Sequence, residues 1–130
     1  MMDIITNIIV KEDDIDDLEH VNNSVYLNYL EKARGQWFRR AGISFENMHV
    51  QNLATVVLKI NITFIKEAKL GDLLKIKTTP FRLGNSSFEV KQEIYNQVEE
   101  KITEAIVTSV MLNKTERKSI PVIEKIARQF

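Results

Sequence analysis

The sequence predicts one α+β domain in which about five antiparallel strands surround a single long helix. Three observations support this class. The chain has 130 residues, 44% of them apolar, which is enough for one core and too little for two ordinary domains. One segment, beginning near Ser24, carries apolar residues at helical spacing. Most of the chain beyond that segment alternates apolar and polar residues with the two-residue period of a strand.

The chain begins with a predicted strand and an acidic loop. Residues 3–10, DIITNIIV, are rich in β-branched side chains, which favour extended structure. Residues 11–17, KEDDIDD, contain five acidic side chains and only one apolar one. Such a segment has no face to bury, so we expect a polar loop that leads from the strand to the helix.

The long helix is amphipathic. On a helical wheel of about 100° per residue, five side chains share one narrow apolar arc and four residues oppose them. The arc contains Tyr26, Leu30, Ala33, Trp37 and Ala41, and the opposing residues are Asn28, Lys32, Gly35 and Arg39. Asn23 or Ser24 is the predicted N-cap, and Gly42 is the predicted C-terminal glycine. These limits give a helix of about five turns.

Four further strands are predicted after a loop or short helix at 43–52. In the first strand, one face is expected to hold Val56, Leu58, Ile60, Ile62 and Phe64, and the other Lys59, Asn61 and Thr63. Turn sequences at 70–72 and 84–85 separate the next two strands, and the polar segment 96–101 leads to the last. The alternating residues of these strands are Leu74, Ile76 and Thr78, then Phe88, Val90, Gln92 and Ile94, then Ile106, Thr108, Val110 and Leu112. Pro121 starts a short terminal segment that we expect to be helical and peripheral.

The order of these elements predicts how they assemble. Short connections favour antiparallel neighbours. All the apolar residues of the helix together cover a wider arc than the five named above, so the sheet is expected to curl around the helix. A sheet of this kind leaves strand edges exposed, and two copies of a chain commonly cover such edges by pairing them. We therefore expect a homodimer or a homotetramer.

Charge and cysteine content narrow the classes of function. Eighteen basic residues balance eighteen acidic ones, which argues against nucleic acid or an anionic membrane as the main partner. The chain has no cysteine, which excludes disulfides, thiolate metal sites and a cysteine nucleophile. The N-terminus lacks a signal-peptide pattern, and no window reaches the roughly 18 apolar residues of a membrane helix. We expect a soluble, unprocessed, cytoplasmic protein that acts on a small molecule.

Groups capable of acid–base chemistry converge where the long helix begins. Several acids, one histidine and two asparagines lie within residues 14–23. A helix N-terminus offers unpaired backbone N–H groups that stabilise a developing negative charge. Asp16 can activate a water molecule or act as a nucleophile beside such groups. By composition alone, however, Asp16 is more simply one solvated acid among several neighbours.

Several residues of this region together resemble the hotdog-fold acyl thioesterases of the 4-hydroxybenzoyl-CoA thioesterase type. They are Asp14-Ile15-Asp16, His20-Val21-Asn22-Asn23, Tyr26-Leu27, and Glu31 with Ala33-Arg34. The similarity covers nearly the whole chain, as one domain from 1 to 130. It implies a sheet wrapped around the central helix, a dimer with a continuous sheet, and hydrolysis of an acyl thioester of coenzyme A or acyl carrier protein. No cofactor is implied, and one histidine among carboxylates is a weak signal for a metal.

The resemblance also implies roles for single residues. Asp16 matches the catalytic carboxylate, as base or nucleophile, and the backbone N–H of Asn23 matches the donor to the thioester oxygen. His20 matches a histidine that related acyl-carrier thioesterases use in catalysis, but those enzymes place an asparagine where this chain has Leu18. His20 therefore has three interpretations: a base, a structural brace or a solvated side chain. Glu19 stands where similar enzymes usually have glycine.

Three further residues are candidates with two interpretations each. Glu31 lies eight residues after Asn23, the spacing of a catalytic glutamate in a sister branch, although an ion pair with Arg34 is favoured. Asn22 is either a substrate contact or part of the helix cap. Tyr26 belongs either to the wall of an acyl pocket or to the core.

Two other functions remain open on the same scaffold. One is an enoyl-thioester hydratase or dehydratase, which the absence of that family's Asp-x-Asn-Pro-x-x-His loop makes less favoured. The other is a non-catalytic module that binds acyl thioesters. Basic residues near predicted strand ends could contact the phosphates of coenzyme A, and they are Arg82, Lys114, Arg117 and Lys118.

Overall fold

The computed structural model describes residues 1–130 and places one long helix against the inner face of a curved antiparallel sheet. The strands are β1 (Ile4–Ile9), β2 (Leu53–Phe64), β3 (Leu73–Leu83), β4 (Ser87–Tyr95), β5 (Lys101–Asn113) and β6 (Lys118–Ser119). The helices are α1 (Asn23–Ala41), α2 (Phe45–Val50) and α3 (Glu124–Ala127), and a 3-10 turn occupies Glu12–Asp14. The strand order is β1-β3-β4-β5-β2, with the short β6 beside β5. The predicted α+β class is confirmed.

The ends of α1 are fixed by local hydrogen bonds. Asn22 is the N-cap, because its side chain accepts the backbone N–H of Ser24 at 3.1 Å. The prediction of Asn23 or Ser24 as the N-cap is therefore wrong by one residue. The prediction of Gly42 is confirmed: it has a φ of 99°, which favours glycine, and its N–H donates to carbonyls of the last helical turn.

The core lies between α1 and the inner face of the sheet. It has two parts, one around Leu30 near the start of the helix and one around Trp37 near its end, and both side chains are fully buried. The predicted apolar arc of α1 is buried throughout. On β5 the inward residues are Val107, Ser109 and Met111, so the series that begins at Ile106 faces outward.

A bulge in β2 changes the face of its first half. Val57 and Lys59 lie opposite neighbouring residues of β5, so Leu58 is an extra residue in the ladder. One extra residue reverses the alternation of side chains before it relative to those after it. Val56 therefore lies on the outer face, while the apolar side chains of 60–64 lie on the inner face. The predicted single apolar face is wrong for the segment before the bulge.

The C-terminal segment is part of the core. Ile126 of α3 is fully buried. The ring of Phe130 lies 6.1 Å from Trp37 and 6.2 Å from Phe88, centre to centre. The predicted helix is present, but the expectation that it is peripheral is wrong, because the curved sheet leaves the end of α1 open and these apolar side chains cover it.

The strand β2 forms one edge of the sheet and pairs only with β5. Its middle is unusually exposed for apolar residues, with Leu58 at 63% exposure. The other exposed apolar residues in or directly after β2 are Val56, Val57, Phe64 and Ile65. An edge of this length and composition is suited to pairing with another strand. As a separate finding, none of the helices is both long and apolar enough to cross a membrane.

Candidate functional site

The acidic loop and the residues that lead into α1 form a short hairpin, residues 14–22, which we call the acidic hairpin. The backbone N–H of Asp16 donates to the carbonyl of His20 at 2.9 Å. Farther along, the N–H of Asn22 donates to the carbonyl of Asp14 at 3.1 Å. These bonds fold the candidate carboxylate back beside the residues that lead directly into the helix.

Asp16 is exposed, but its carboxylate is held by its own turn. One carboxylate oxygen, Oδ1, accepts the backbone N–H of Leu18 at 2.9 Å and that of His20 at 3.3 Å. The other oxygen has no hydrogen bond within the chain. The side chain thus has a fixed orientation and one free oxygen, which can accept a proton from water or attack an electrophile.

The tip of the acidic hairpin has a backbone shape that glycine normally adopts. Glu19 has a φ of 62°, and its N–H donates to the carbonyl of Asp16 at 2.9 Å. A side chain in this left-handed region costs roughly 1 kcal/mol. The departure from the family's usual glycine therefore leaves the turn intact and adds a charge beside Asp16.

The start of α1 leaves one backbone donor free. The N–H of Ser24 is bound by the cap, and the N–H of Val25 donates to the carbonyl of Asn22 at 2.9 Å. The N–H of Asn23 has no acceptor within the chain. This is the amide that the resemblance assigns to the thioester oxygen, and the helix N-terminus adds a partial positive charge there.

His20 braces the acidic hairpin against the connection between β2 and β3. Its Nδ1 lies 2.9 Å from a carboxylate oxygen of Glu67. The backbone of His20 also bridges to Lys69, and the next N–H, of Val21, donates to the carbonyl of Ala68 at 3.0 Å. Of the three interpretations, these contacts favour the structural one. A depression of about 310 Å³ opens beside the ring and is lined by Leu18, Glu19, His20, Lys69 and Leu70.

Asn22 and Tyr26, both predicted substrate contacts, have structural partners. The side chain of Asn22 is used as the helix cap. The Tyr26 hydroxyl accepts the N–H of Ala68 at 3.0 Å, and its ring centre lies 5.3 Å from that of Phe64. Burial raises the pKa of Tyr26, so the phenol stays protonated at neutral pH. Its ring is placed as a wall between α1 and β2.

Glu31 lies away from the acidic hairpin. It is exposed on α1, about 12 Å along the helix axis from Asn23. The favoured ion pair with Arg34 is wrong, because none of the salt bridges within 4.0 Å joins Glu31 to Arg34. Arg34 is buried instead, and its Nη1 donates to the side-chain oxygen of Gln92 at 3.0 Å. Burial lowers the pKa of Arg34.

The four basic candidates for phosphate contacts lie at the other end of the sheet. They are Arg82, Lys114, Arg117 and Lys118. The acidic hairpin lies near the start of β3, whereas Arg82 lies near its end, roughly 30 Å away along the strand. Arg82 contacts Glu89 at 3.8 Å, and Lys114 contacts His49. Within one chain these basic residues are too far from Asp16 to share a ligand with it at short range.

One contact of the acidic hairpin was not predicted from the sequence. The hydroxyl of Tyr29 donates to the Oδ2 of Asp14 at 2.8 Å. The backbone N–H of Lys11 donates to the same oxygen at 3.1 Å. Tyr29 lies three residues after Tyr26, a spacing that places the two side chains on neighbouring positions of the helix surface. The sequence therefore predicts only a core residue, and the tertiary structure shows which group its hydroxyl contacts.

The sequence matches one family profile. Residues 18–103 match the family described as the thioesterase superfamily. The matched region includes His20, Asn23 and the whole of α1, and Asp16 lies just before it.

Comparisons with individual proteins agree with this match. The long-chain acyl-CoA thioesterase FadM of Escherichia coli is 34% identical over 116 residues, which cover 88% of this chain and 87% of that protein. The structure of YbaW, a probable thioesterase from Escherichia coli, superposes with a TM-score of 0.82 at 29% identity, covering 96% of this chain and 94% of the other. A 1,4-dihydroxy-2-naphthoyl-CoA thioesterase from Synechocystis has a TM-score of 0.90 at 21% identity over 98% and 95% of the two chains, which shows a shared fold.

Proposed function

This chain belongs to the thioesterase superfamily and is a thioester hydrolase with the hotdog fold, and we propose that it hydrolyses acyl-CoA at the acidic hairpin. The proposal rests above all on one observation: the free carboxylate oxygen of Asp16 lies on the acidic hairpin, and the free N–H of Asn23 lies directly after the last residue of that hairpin. The named function of FadM, a relative that covers most of the chain, supports an acyl-CoA substrate.

The proposed chemistry assigns the two groups different tasks. The thioester oxygen accepts the N–H of Asn23, which stabilises the negative charge that forms on it. Asp16 either takes a proton from the attacking water or attacks the carbonyl carbon itself, forming a mixed anhydride that water then opens. In both routes the carbon–sulfur bond breaks and the electron pair leaves with the thiolate. A thiolate is a good leaving group, so the site needs no strong general acid.

The spacing of the acidic hairpin is compatible with this assignment. Asp16 pairs with His20, and Asn23 lies three residues farther on, roughly 10 Å of extended chain. A carbonyl group and one attacking water, each hydrogen-bonded at about 2.9 Å, fit into such a gap. In this proposal three residues support the site without reacting: Asn22 caps α1, Tyr26 forms a wall between α1 and β2, and His20 braces the acidic hairpin against the connection between β2 and β3. Glu31 has no part in it because of its distance along the helix.

We further propose that two copies pair through β2. Pairing about a twofold axis is antiparallel for such an edge, so the end of β2 in one copy meets the beginning of β2 in the other. The acidic hairpin lies at the end of β2, and Lys114 lies at its beginning. The second copy would thus bring basic residues toward the site, where the phosphates of coenzyme A need partners. A dimer is the minimum assembly, and the cytoplasmic location stays a prediction.

The oxyanion donor is tested with a pair of substitutions at position 23. Asn23→Pro removes the N–H at the first helical position, where proline is well tolerated, while Asn23→Ala keeps the N–H and removes only the side chain. We expect Asn23→Pro to lower kcat by roughly 100-fold, and Asn23→Ala to stay close to the wild type. Thiol release from a panel of acyl-CoA and acyl-carrier substrates is the measurement.

The carboxylate is tested in the same assay. Asp16→Asn is expected to lower kcat by at least about 100-fold, whereas Asp17→Asn, a change at the neighbouring exposed acid, leaves it nearly unchanged. Full activity of Asp16→Asn would disprove the proposed site. Tight binding of acyl-CoA without thiol release by the wild type would favour a binding module, and water addition to an enoyl-CoA would favour a hydratase.

A further inference from the structure

Asp14 connects both functional ends of the acidic hairpin. Its backbone carbonyl accepts the N–H of Asn22, the residue directly before the oxyanion donor Asn23. Asp14 also lies only two residues before Asp16 in the chain, so the two backbones move together. A shift of Asp14 therefore changes the separation between the carboxylate of Asp16 and the N–H of Asn23.

Tyr29 holds the side chain of Asp14 from the helix, and the backbone N–H of Lys11 donates to the same carboxylate oxygen. The ring of Tyr29 is buried in the second turn of α1, edge-on to Tyr26 with ring centres 6.3 Å apart, so the hydroxyl has little freedom. That hydroxyl donates to Asp14 Oδ2 at 2.8 Å, an ordinary length for a hydrogen bond from a hydroxyl to an oxygen acceptor. Burial, and then the bond to Asp14, raises the pKa of Tyr29, so the phenol remains a donor over the whole working pH range.

We infer that Tyr29 and Asp14 form a positioning pair that sets the separation between Asp16 and the N–H of Asn23. Neither residue of the pair needs to touch the substrate. The inference rests on the proposed function, because it assumes that Asp16 and Asn23 act on the same carbonyl. A misplacement of about 1 Å between reacting groups can cost roughly 100-fold in rate, so loss of the Tyr29 hydroxyl should appear mainly in kcat.

The structure offers a matched control for the loss of this hydroxyl. Tyr95 also donates its hydroxyl to a carboxylate, Glu93, at 3.1 Å, but on the outer face of the sheet. Tyr95→Phe therefore removes the same kind of bond at a site with no link to the acidic hairpin. We expect Tyr29→Phe to lower kcat by roughly 10- to 100-fold with KM changed less than about threefold. We expect Tyr95→Phe to leave both constants unchanged.

Thermal melting of both variants separates positioning from stability. Tyr29→Phe is expected to melt within a few degrees of Tyr95→Phe. An unchanged kcat, or a loss of activity that follows only the loss of folded protein, would overturn the inference. Asp16→Asn is measured in the same series. If it is inactive while Tyr29→Phe is fully active, only the positioning inference fails; if Asp16→Asn itself is active, the proposed site fails.

A double-mutant cycle tests the contact itself. Asp14→Ala removes the acceptor, so adding Tyr29→Phe should lower kcat little further. Asp14→Asn keeps one acceptor oxygen and should retain more activity than Asp14→Ala. Losses in kcat that multiply in the double variant would show two independent effects and would contradict the proposed pair.

Discussion

At the residue scale, two neighbouring asparagines contribute different atoms to one site. Asn22 uses its side chain as the cap of α1, whereas Asn23 offers its backbone N–H. The sequence predicted both residues as important but could not assign the cap, because Asn22, Asn23 and Ser24 are all good N-cap residues. The choice depends on which residue has an extended backbone, and the pairing of Asn22 with Asp14 decides that.

A buried polar network at the same scale joins α1 to the sheet. The amide of Gln92 donates to the carbonyl of Leu30 at 3.0 Å and to the hydroxyl of Thr78 at 3.1 Å, and its oxygen accepts from Arg34. Each of these polar atoms is costly to bury alone, so together they specify one position of the helix. The sequence placed Thr78 and Gln92 in alternating strand positions but gave no sign that they meet Arg34.

Ion pairs on the outer face give a prediction for pH dependence. Burial alone raises the pKa of Glu93, but hydrogen bonds from Lys101 and Tyr95 outweigh it, and the pKa lies below the ordinary value of 4.5. Hydrogen bonds from Lys101 and Lys91 also lower the pKa of Glu104. A carboxyl whose pKa is lower in the folded state stabilises the fold above its unfolded pKa, and this is lost as the pH falls through the folded pKa.

We therefore expect Lys101→Met to lower the melting temperature at pH 7, and we expect this loss to shrink toward pH 3, as the pH falls toward the lowered pKa values of the two glutamates. The matched control is Lys77→Met, which removes a lysine whose contact with Asp3 is exposed and long, at 3.8 Å. It should change the melting temperature little at either pH. A loss for Lys101→Met that is as large at pH 3 as at pH 7 would contradict this account.

At the scale of elements, the helix start is both a structural end and the centre of the proposed site. The cap of α1 fixes the first turn, and the first turn presents the N–H of Asn23. Helix ends are predictable to within one or two residues from local sequence, as the confirmed Gly42 shows. A site that depends on one particular backbone N–H requires the exact first residue of the helix, and only the tertiary structure shows which residue that is.

Asn22→Ala tests the structural role of the cap. We expect it to lower the free energy of unfolding by about 1 kcal/mol, because the N–H of Ser24 loses its acceptor. Asn22→Asp keeps an acceptor oxygen and should keep the stability. Urea denaturation is the measurement. If Asn22→Ala raised KM without changing stability, Asn22 would be a substrate contact, as the second interpretation of the sequence holds.

The strand β2 shows the limit of pattern analysis for a single element. Its alternation predicts a long strand, and a strand is present at Leu53–Phe64. The bulge at Leu58 has no local signal, since it depends on the register with β5. It moves Val56 to the outer face and leaves Leu58 exposed in the middle of the edge.

At the scale of the whole molecule, the exposed edge of β2 predicts self-association. Leu58 lies near the middle of this edge, so it would lie close to the twofold axis of a dimer paired through β2. Leu58→Lys brings two like charges together at the centre of that pairing. We expect the wild type to be at least dimeric by light scattering, and Leu58→Lys to be largely monomeric with a lower kcat/KM.

The control for this prediction is Val98→Lys. Val98 lies in the turn between β4 and β5 and is exposed to nearly the same extent, 65% against 63% for Leu58. The Val98→Lys variant should have the same molar mass by light scattering and the same activity as the wild type. A monomeric wild type, or a dimer that survives Leu58→Lys, would argue against pairing through β2.

The sequence by itself determined the order of elements, the long helix with its apolar arc, and the location of the candidate active site at the acidic hairpin. These features are local, because hydrophobic period, turn residues and motif spacing are read within a few neighbouring positions. Only the tertiary structure decided that β1 pairs with β3, that β2 is left as an edge, that the C-terminus covers the core, and that Tyr29 and Glu67 hold the acidic hairpin. Each of these joins residues far apart in the chain, and the curvature of the sheet decides which of them meet.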